Sequence, residues 1–367
     1  MPHNNVQPRI IIDGHRLTEN STGVGRYLSV LLNQWSENPD SLKFNPLIIQ
    51  RTPRSPNLDP WKVQFGHICQ GSRIPGLIWE NSILASREYR HLPLFAPANL
   101  IPYRWKGPVV LVVQDTFCEH PDSQISTLNR IRFRSRYRRS AQQADLILTP
   151  SHSTANDIHL FYGVPKAQIK VITPGIPDVF KPMNNSLLIK PDLIPEIKTP
   201  YVLFVGKKSP RRQFPTILKS VQALRKSGLK LDLVAVGPSS PKANHEEEGL
   251  IDLGYVSDQK LATLYQNAIA LIWPSSREGF GLPLAESMAS GCPIITTPVN
   301  AIAEVAGQAC LGLTDSSSEQ ISSAIMQLME CPDTRMKLIQ KGLQQAIRFH
   351  PHQFAENVAD AIRTFAN

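Results

Sequence analysis

Hydrophobic positions along this chain come in two textures. Short, nearly unbroken apolar runs occupy residues 9–13, 47–49, 109–113, 146–149, 201–206, 231–236, 270–273, 294–297 and 309–313. Runs of that length bounded by turn residues read as buried strands, and the unbroken apolarity of 109–113 is that of a central parallel strand. Between them lie stretches that read as helices. They cover 22–35 (with Thr22 placed to cap it), 77–90, 123–141, 151–162, a helix from about 216, one holding Leu261, Leu264 and Tyr265, then 283–291, 300–305, 319–329, 333–349 and 353–365. Residues 51–62 are proline-rich and read as loop, and 183–199, with Asn184, Asn185, Pro191 and Pro195, reads as a linker. Strand and helix alternate on both sides of that linker. The prediction is α/β, two doubly wound units.

One stretch carries two conflicting signals. Between 130 and 139 arginine alternates with other residues, a period of two that taken locally says strand. The surroundings, 123–141, contain neither glycine nor proline and say helix. The helix is the expectation, with Ile131, Phe133 and Tyr137 among the arginines marking an interfacial surface.

The most informative segment is 274–291, Pro-Ser-Ser-Arg-Glu-Gly-Phe-Gly-Leu-Pro-Leu-Ala-Glu-Ser-Met-Ala-Ser-Gly. It follows a buried strand. Gly279 and Gly281 punctuate a tight loop, Pro283 suits the first helical turn, and Gly291 with Pro293 stops the helix. A glycine loop feeding a helix makes an anion site. Glu278 in the loop and Glu286 in the helix lean toward the same place, because helical side chains tilt N-terminally. Carboxylates repel phosphate, so these two fit sugar or ribose hydroxyls instead. A second charged loop follows the strand at 201–206: Gly206, Lys207, Lys208, Ser209, Pro210, Arg211, Arg212, Gln213. Cations where a strand enters a helix suit a diphosphate. In the first half, Gly23-Val24-Gly25-Arg26-Tyr27 follows the first strand as a close-approach loop. As a dinucleotide fingerprint it is weak, lacking the third glycine. Asp115 stands at the carboxyl end of the strand at 109–113, where ligands of open α/β sheets bind.

Charge and cysteines narrow the setting. Residues 1–195 hold 22 Lys/Arg and 14 Asp/Glu, a balance of +8, out of +9 for all 367 residues. That basic half calls for an acidic partner, such as an anionic membrane surface or a phosphorylated substrate. Five scattered cysteines without CxxC spacing suggest neither zinc nor a disulfide framework, and a reducing cytoplasm is the expected setting. No apolar run reaches transmembrane length, and the first residues do not begin a signal peptide.

Glu278 and Glu286, separated by Gly-Phe-Gly-Leu-Pro-Leu-Ala, resemble the Glu-x7-Glu signature of the retaining GT-B glycosyltransferases of family 4. The segment 201–213, the Gly-x-Gly-Arg-Tyr at 23–27 and Trp79-Glu80 resemble the same family, in a mannosyltransferase-like branch that often builds bacterial surface polysaccharides. The resemblance implies two Rossmann-like domains facing a cleft. An acceptor-side domain spans 1–190 and a nucleotide-sugar-binding domain 200–350, with the terminal helix 351–367 crossing back to the first. It further implies that Glu278 holds donor-sugar hydroxyls and Glu286 the ribose diol. Arg212 and Lys207 meet the diphosphate, with Asp115 as the remaining catalytic residue. Gly23, Gly25, Gly206, Arg211, Val256, Gly279, Phe280, Gly281 and Leu282 line the nucleotide-sugar. The donor expected is a GDP-sugar, with UDP and dTDP sugars open, and the acceptor is a glycan or polyprenyl-linked sugar. No cofactor and no metal are expected, since no Asp-x-Asp occurs. The enzyme would be cytoplasmic and peripheral on the inner membrane face. The chain departs from the family at Gln114, where His precedes the Asp. Two other readings stand beside this one: a non-catalytic polyanion- or nucleic-acid-binding protein, on the basic half, and a transferase that has lost turnover, on Gln114. No helix-turn-helix, zinc-finger or RNP motif supports the first.

Overall fold

The computed structural model describes residues 7–19, 23–54, 59–71, 73–123, 125–183, 197–238 and 247–366. Thr22 and most of the expected linker lie outside them. The chain divides into two compact units, residues 1–175 with 349–367, and residues 176–348.

In the first unit the strands are β1 (Arg9–Asp13), β2 (Asn45–Gln50), β3 (Gly66–Cys69), β4 (Leu94–Ala96), β5 (Val109–Val112), β6 (Leu146–Thr149) and β7 (Ile169–Val171). Its helices are α1 (Gly23–Glu37), α2 (Gly76–Trp79), α3 (Thr127–Gln143) and α4 (His152–Asp157). Among the described residues these strands form one sheet in the order β3-β2-β1-β4-β5-β6-β7, parallel throughout. The period-two alternation of strand side chains sorts the core into two layers. Ile10, Ile12, Ile48, Phe95, Val110 and Val112 face α1, and Ile11, Ile49, Leu94, Ala96, Val109 and Leu111 face Trp79, Ala141 and Tyr162. Strand order reverses between β1 and β4.

The second unit holds β8 (Tyr201–Val205), β9 (Asp232–Val236), β10 (Leu250–Gly254), β11 (Leu271–Trp273), β12 (Ile294–Thr296) and β13 (Cys310–Gly312). Its helices are α5 (Phe214–Lys226), α6 (Asp258–Asn267), α7 (Leu282–Ala289), α8 (Asn300–Ala306), α9 (Ser318–Glu330) and α10 (Pro332–Ala346). The sheet order is β10-β9-β8-β11-β12-β13, again parallel, with the reversal between β8 and β11. The last helix, α11 (Pro351–Ala366), belongs to the first unit. Phe354 meets Tyr27 of α1 edge-on at 4.9 Å, and the Trp35 indole donates to the Ala355 carbonyl at 3.0 Å.

Both doubly wound units, the returning terminal helix and the helical reading of 130–139 agree with expectation. Four strands escaped the pattern. β4 is only three residues between Pro93 and Pro97, while β3, β7 and β10 are partly exposed sheet edges with mixed polarity. The helix expected over 77–90 is shorter. α2 widens into a π-turn at Glu80–Leu84 and ends there. Asn81 and Ser82 donate side-chain hydrogen bonds to the carbonyls of Leu77 and Ile78, competing with the helical ladder. Nor is Gly23-Val24-Gly25 a loop: it is the first turn of α1, with Gly23 exposed and Gly25 buried.

Candidate active site

The reversal of strand order in the second unit puts the ends of β8 and β11 side by side, the place where open α/β sheets bind ligands. Both charged loops sit there. After β8 the chain turns at Gly206, whose φ of +129° is costly for any residue with a Cβ. A Cβ there would also lie 2.4 Å from Arg212 Nη1. That missing atom lets the Arg212 guanidinium settle over the Trp273 ring, 4.7 Å from its centroid. Pro210–Arg212 make one 3-10 turn, and Gln213 takes the left-handed conformation at φ 55° before α5 begins.

After β11 comes Glu278, 8% exposed. One of its oxygens, Oε1, accepts three hydrogen bonds: from Arg212 Nε at 3.1 Å, Arg211 Nη1 at 3.2 Å and the Ser275 hydroxyl at 3.0 Å. Among the described residues none reaches Oε2. Arg211 also donates to the Arg277 carbonyl, tying the two loops together. Arg212 commits only Nε, and its two terminal nitrogens have no hydrogen-bond partner among the described residues. The arrangement is thus a carboxylate oriented by two cations, with one oxygen and one guanidinium edge left over. The sequence treats Glu278 and the arginines as separate sugar and phosphate groups. The structure joins them in one ion-pair cluster, because Gly206 lets Arg212 lie back toward β11.

Gly279 and Phe280 are buried behind Glu278. Gly281 turns the chain at φ +98° into α7, where Leu282 and Pro283 form the first turn. Glu286, 2% exposed, accepts at 3.1 Å from the hydroxyl of Tyr265 on α6. Val256 is half-buried just ahead of Ser257, whose side chain caps α6 by accepting from the Lys260 amide. Lys207 is exposed and makes no ion pair among the described residues, whereas Lys208 pairs with Asp252 at 2.9 Å.

The remaining expected residues, Gly23, Gly25 and Asp115, lie in the first unit. Asp115 is half-buried and its Oδ1 accepts from the Phe117 amide at 3.2 Å. Asn99, 5% exposed and left-handed at φ 62°, clamps the loop: its side chain accepts from the Gln114 amide at 2.7 Å and donates to the Asp115 carbonyl at 3.1 Å. Gln114 donates to the Pro97 carbonyl at 3.2 Å, so it braces the loop. Sequence reasoning missed Asn99, Ser275, Trp273 and the Tyr265 contact. Each acts through a partner 3 to 61 positions away, and no local pattern announces it.

Two family models match adjoining parts of the chain, "Glycosyltransferase Family 4" over residues 86–179 and "Glycosyl transferases group 1" over 185–345. The chain belongs to glycosyltransferase family 4. The O-antigen chain mannosyltransferase B of Escherichia coli is 26% identical to this transferase over 282 residues, 72% of each chain. The O-antigen chain mannosyltransferase RfbU of Salmonella typhimurium is 27% identical over 223 residues, so the match spans 58% of each chain. Among solved structures, Anabaena HepE in complex with UDP and glucose has a TM-score of 0.75 at 14% identity, covering 97% of this chain and 99% of that one. WaaG, a glycosyltransferase involved in lipopolysaccharide biosynthesis, has a TM-score of 0.73 at 16% identity, covering 96% and 99%. At such identities these likenesses concern the fold, which is GT-B.

Proposed function

We propose that the chain is a retaining, metal-independent hexosyltransferase. It moves mannose from GDP-mannose to a glycan or polyprenyl-linked acceptor in surface polysaccharide assembly. The observation that carries this reading is the Arg211–Arg212–Glu278 cluster at the strand-order reversal of the second unit. The names of the E. coli and Salmonella relatives support mannose and a polysaccharide product, and the HepE complex supports a nucleotide-sugar donor.

When a nucleotide-sugar reacts, the bond between anomeric carbon and phosphate breaks and negative charge grows on the diphosphate. Catalysis then depends on groups already aimed at that charge. Arg212, with its terminal nitrogens unspent, and the unpaired Lys207 supply it here. A guanidinium fork meets phosphate oxygens in pairs, where a lysine would make a point contact. Glu278 offers Oε2 to the donor sugar's hydroxyls, while Arg211 and Ser275 hold Oε1 and fix the carboxylate plane. In this reading Glu286 takes the ribose diol, with Gly279, Phe280, Gly281, Leu282 and Val256 around the nucleotide, and Asp115 faces the acceptor. The acceptor hydroxyl attacks from the face the phosphate leaves, and the phosphate takes its proton.

No helix among the described residues is long and apolar enough to cross a membrane. The proposed location is the cytoplasmic face of the membrane, held peripherally by α3. The test of the chemistry is proton NMR of the first product formed from GDP-mannose, with and without EDTA. The reading expects an α-anomer from the α-linked donor and an unchanged rate in EDTA. A β-product contradicts retention, and a rate abolished by EDTA and restored by a divalent cation contradicts the electrostatic account.

A further inference from the structure

Strand β11 ends on Trp273, at the edge where the two charged loops meet. The side chain is 1% exposed, and its indole nitrogen has no hydrogen-bond partner among the described residues. A buried donor left unpaired is costly. An aliphatic residue would fill a core without that cost, so packing alone gives no reason for an indole here. What an aliphatic residue lacks is a π face. The guanidinium carbon of Arg212 lies over that face, 4.7 Å from the ring centroid. Of the aromatic rings, the indole is the one that attracts a cation most strongly.

The ring is itself fixed from below. Phe204 of β8 stacks against it, with centroids 5.8 Å and planes 27° apart. Phe214, the first residue of α5, meets Phe204 edge-on at 5.0 Å. The Thr296 hydroxyl donates to the Trp273 carbonyl at 2.6 Å and ties β12 to the end of β11. A series of aromatic contacts thus runs from the start of α5 through β8 and β11, and Arg212, two residues before Phe214, ends it. Gly206 leaves the space in which cation and ring meet: a Cβ there would collide with Arg212 Nη1 and lie 3.4 Å from Trp273 Cη2.

Arg212 has a second hold. Its Nε donates to Glu278 Oε1 at 3.1 Å. A ring against its plane and a carboxylate at one edge fix the orientation of a long side chain. The two terminal nitrogens are left uncommitted among the described residues. Lys207, exposed and without an ion pair among the described residues, has no such hold. Ordering a rotamer-rich side chain is a cost of binding that prior ordering removes.

We propose that Trp273 is a positioning residue for the diphosphate: its indole face holds the Arg212 guanidinium in the orientation in which the terminal nitrogens meet phosphate oxygens. The ring acts only through Arg212. The role rests on the reading of Arg212 as a diphosphate contact, and the experiment separates the two.

GDP and guanosine are titrated calorimetrically into the parent chain, into Trp273→Phe and Trp273→Leu, and into the same two changes made on Arg212→Ala. Trp273→Leu is expected to weaken GDP about tenfold, the scale of a desolvated cation–π contact, and Trp273→Phe, which keeps a ring, about threefold. Guanosine affinity stays within twofold of the parent in both. On the Arg212→Ala background neither change alters GDP affinity by more than twofold, because no guanidinium is left to position. A shape-preserving series frees the test from any failure of Trp273→Leu to fold. Tryptophan at 273 is replaced by forms carrying one, two or four ring fluorines, which draw charge from the ring face and keep its outline. GDP affinity should fall stepwise with fluorine count while guanosine affinity holds. A GDP affinity that is flat across that series, or tightens along it, overturns the role and leaves Arg212 at the diphosphate. So does a Trp273→Leu loss that persists on Arg212→Ala or falls equally on guanosine, the mark of a packing effect. A parent that binds no GDP, or an Arg212→Ala variant that binds GDP as the parent does, overturns the diphosphate reading and this role with it.

Discussion

At the residue scale the proposed chemistry turns on Glu278. Its Oε1 is saturated by Arg211, Arg212 and Ser275, and only Oε2 is left for a ligand. Glu278→Ala removes the oxygen proposed to face the sugar and leaves Arg212 Nε without its carboxylate partner. The expected outcome is transfer lowered by at least about 10²-fold, with GDP affinity kept or tightened and the circular dichroism spectrum unchanged. Transfer within a few-fold of the parent would remove Glu278 from the donor-sugar site. Much of this was legible in the residues themselves. Gly281 had to turn the chain and Pro283 had to start the helix, as they do. What was not legible was the pairing. Ser275 reads as one serine among several, and Asn99 as an ordinary loop residue, until the fold brings Glu278 to the one and Gln114 to the other. Asn99 and Gln114 follow neighbouring strands 15 positions apart, and Ser275 meets Glu278 three positions on through the loop's own turn, and no hydrophobic period records either.

At the element scale, α3 shows how a sequence pattern can be right about the element and incomplete about its surface. The arginine alternation over 130–139 mimics a strand, yet the helix forms, since nothing in 127–143 breaks it. The spread of those arginines was read as one basic surface. The structure divides them. Arg134 pairs with the buried Glu119 at 2.7 Å, and Arg136 with Glu80 at 3.4 Å. Arg130 donates to the Cys118 carbonyl at 3.1 Å, and Arg139 donates to the Ile101 carbonyl while lying 4.0 Å over the Tyr103 ring. These four bolt α3 to the loops around it. The outer face carries Leu128, 82% exposed, and Ile131, 61% exposed, beside Arg132 and Arg138, which have no partner among the described residues. Each basic residue near an anionic surface contributes about 1 kcal/mol. Co-sedimentation with anionic vesicles should therefore be lost in the variant Arg132→Ser, Arg138→Ser, Leu128→Ser, Ile131→Ser. Zwitterionic vesicles should not bind the parent, and high salt should release it from anionic ones. Arg134→Ser should instead destabilise the chain by about 1–3 kcal/mol, by leaving Glu119 without its cation. Equal binding to both vesicle types at both salt concentrations would make the outer face of α3 an ordinary solvated one.

At the scale of the whole molecule, the last helix completes the first unit's core. Phe354, Val358 and Ile362 of α11 are buried with Tyr27, Leu28 and Leu31 of α1. Phe354→Ala should cost about 3–5 kcal/mol. Four of the five tryptophans, Trp35, Trp61, Trp79 and Trp105, belong to the first unit, so urea unfolding followed by fluorescence reports chiefly on it. A midpoint unchanged by the substitution would show that α11 adds nothing to that core. The doubly wound layout of both units follows from alternating strand and helix signals, whereas the order of strands, and with it the two reversal points, comes from tertiary pairing alone.

The central claim is that the second unit binds a nucleoside diphosphate through Arg212. Calorimetric titration of GDP and of guanosine into the parent chain and into Arg212→Ala tests it most directly. The account predicts that the substitution weakens GDP by about 1.5–3 kcal/mol, roughly ten- to more than a hundredfold, and leaves guanosine nearly unchanged. Equal losses for GDP and guanosine, or no GDP binding by the parent, would contradict it.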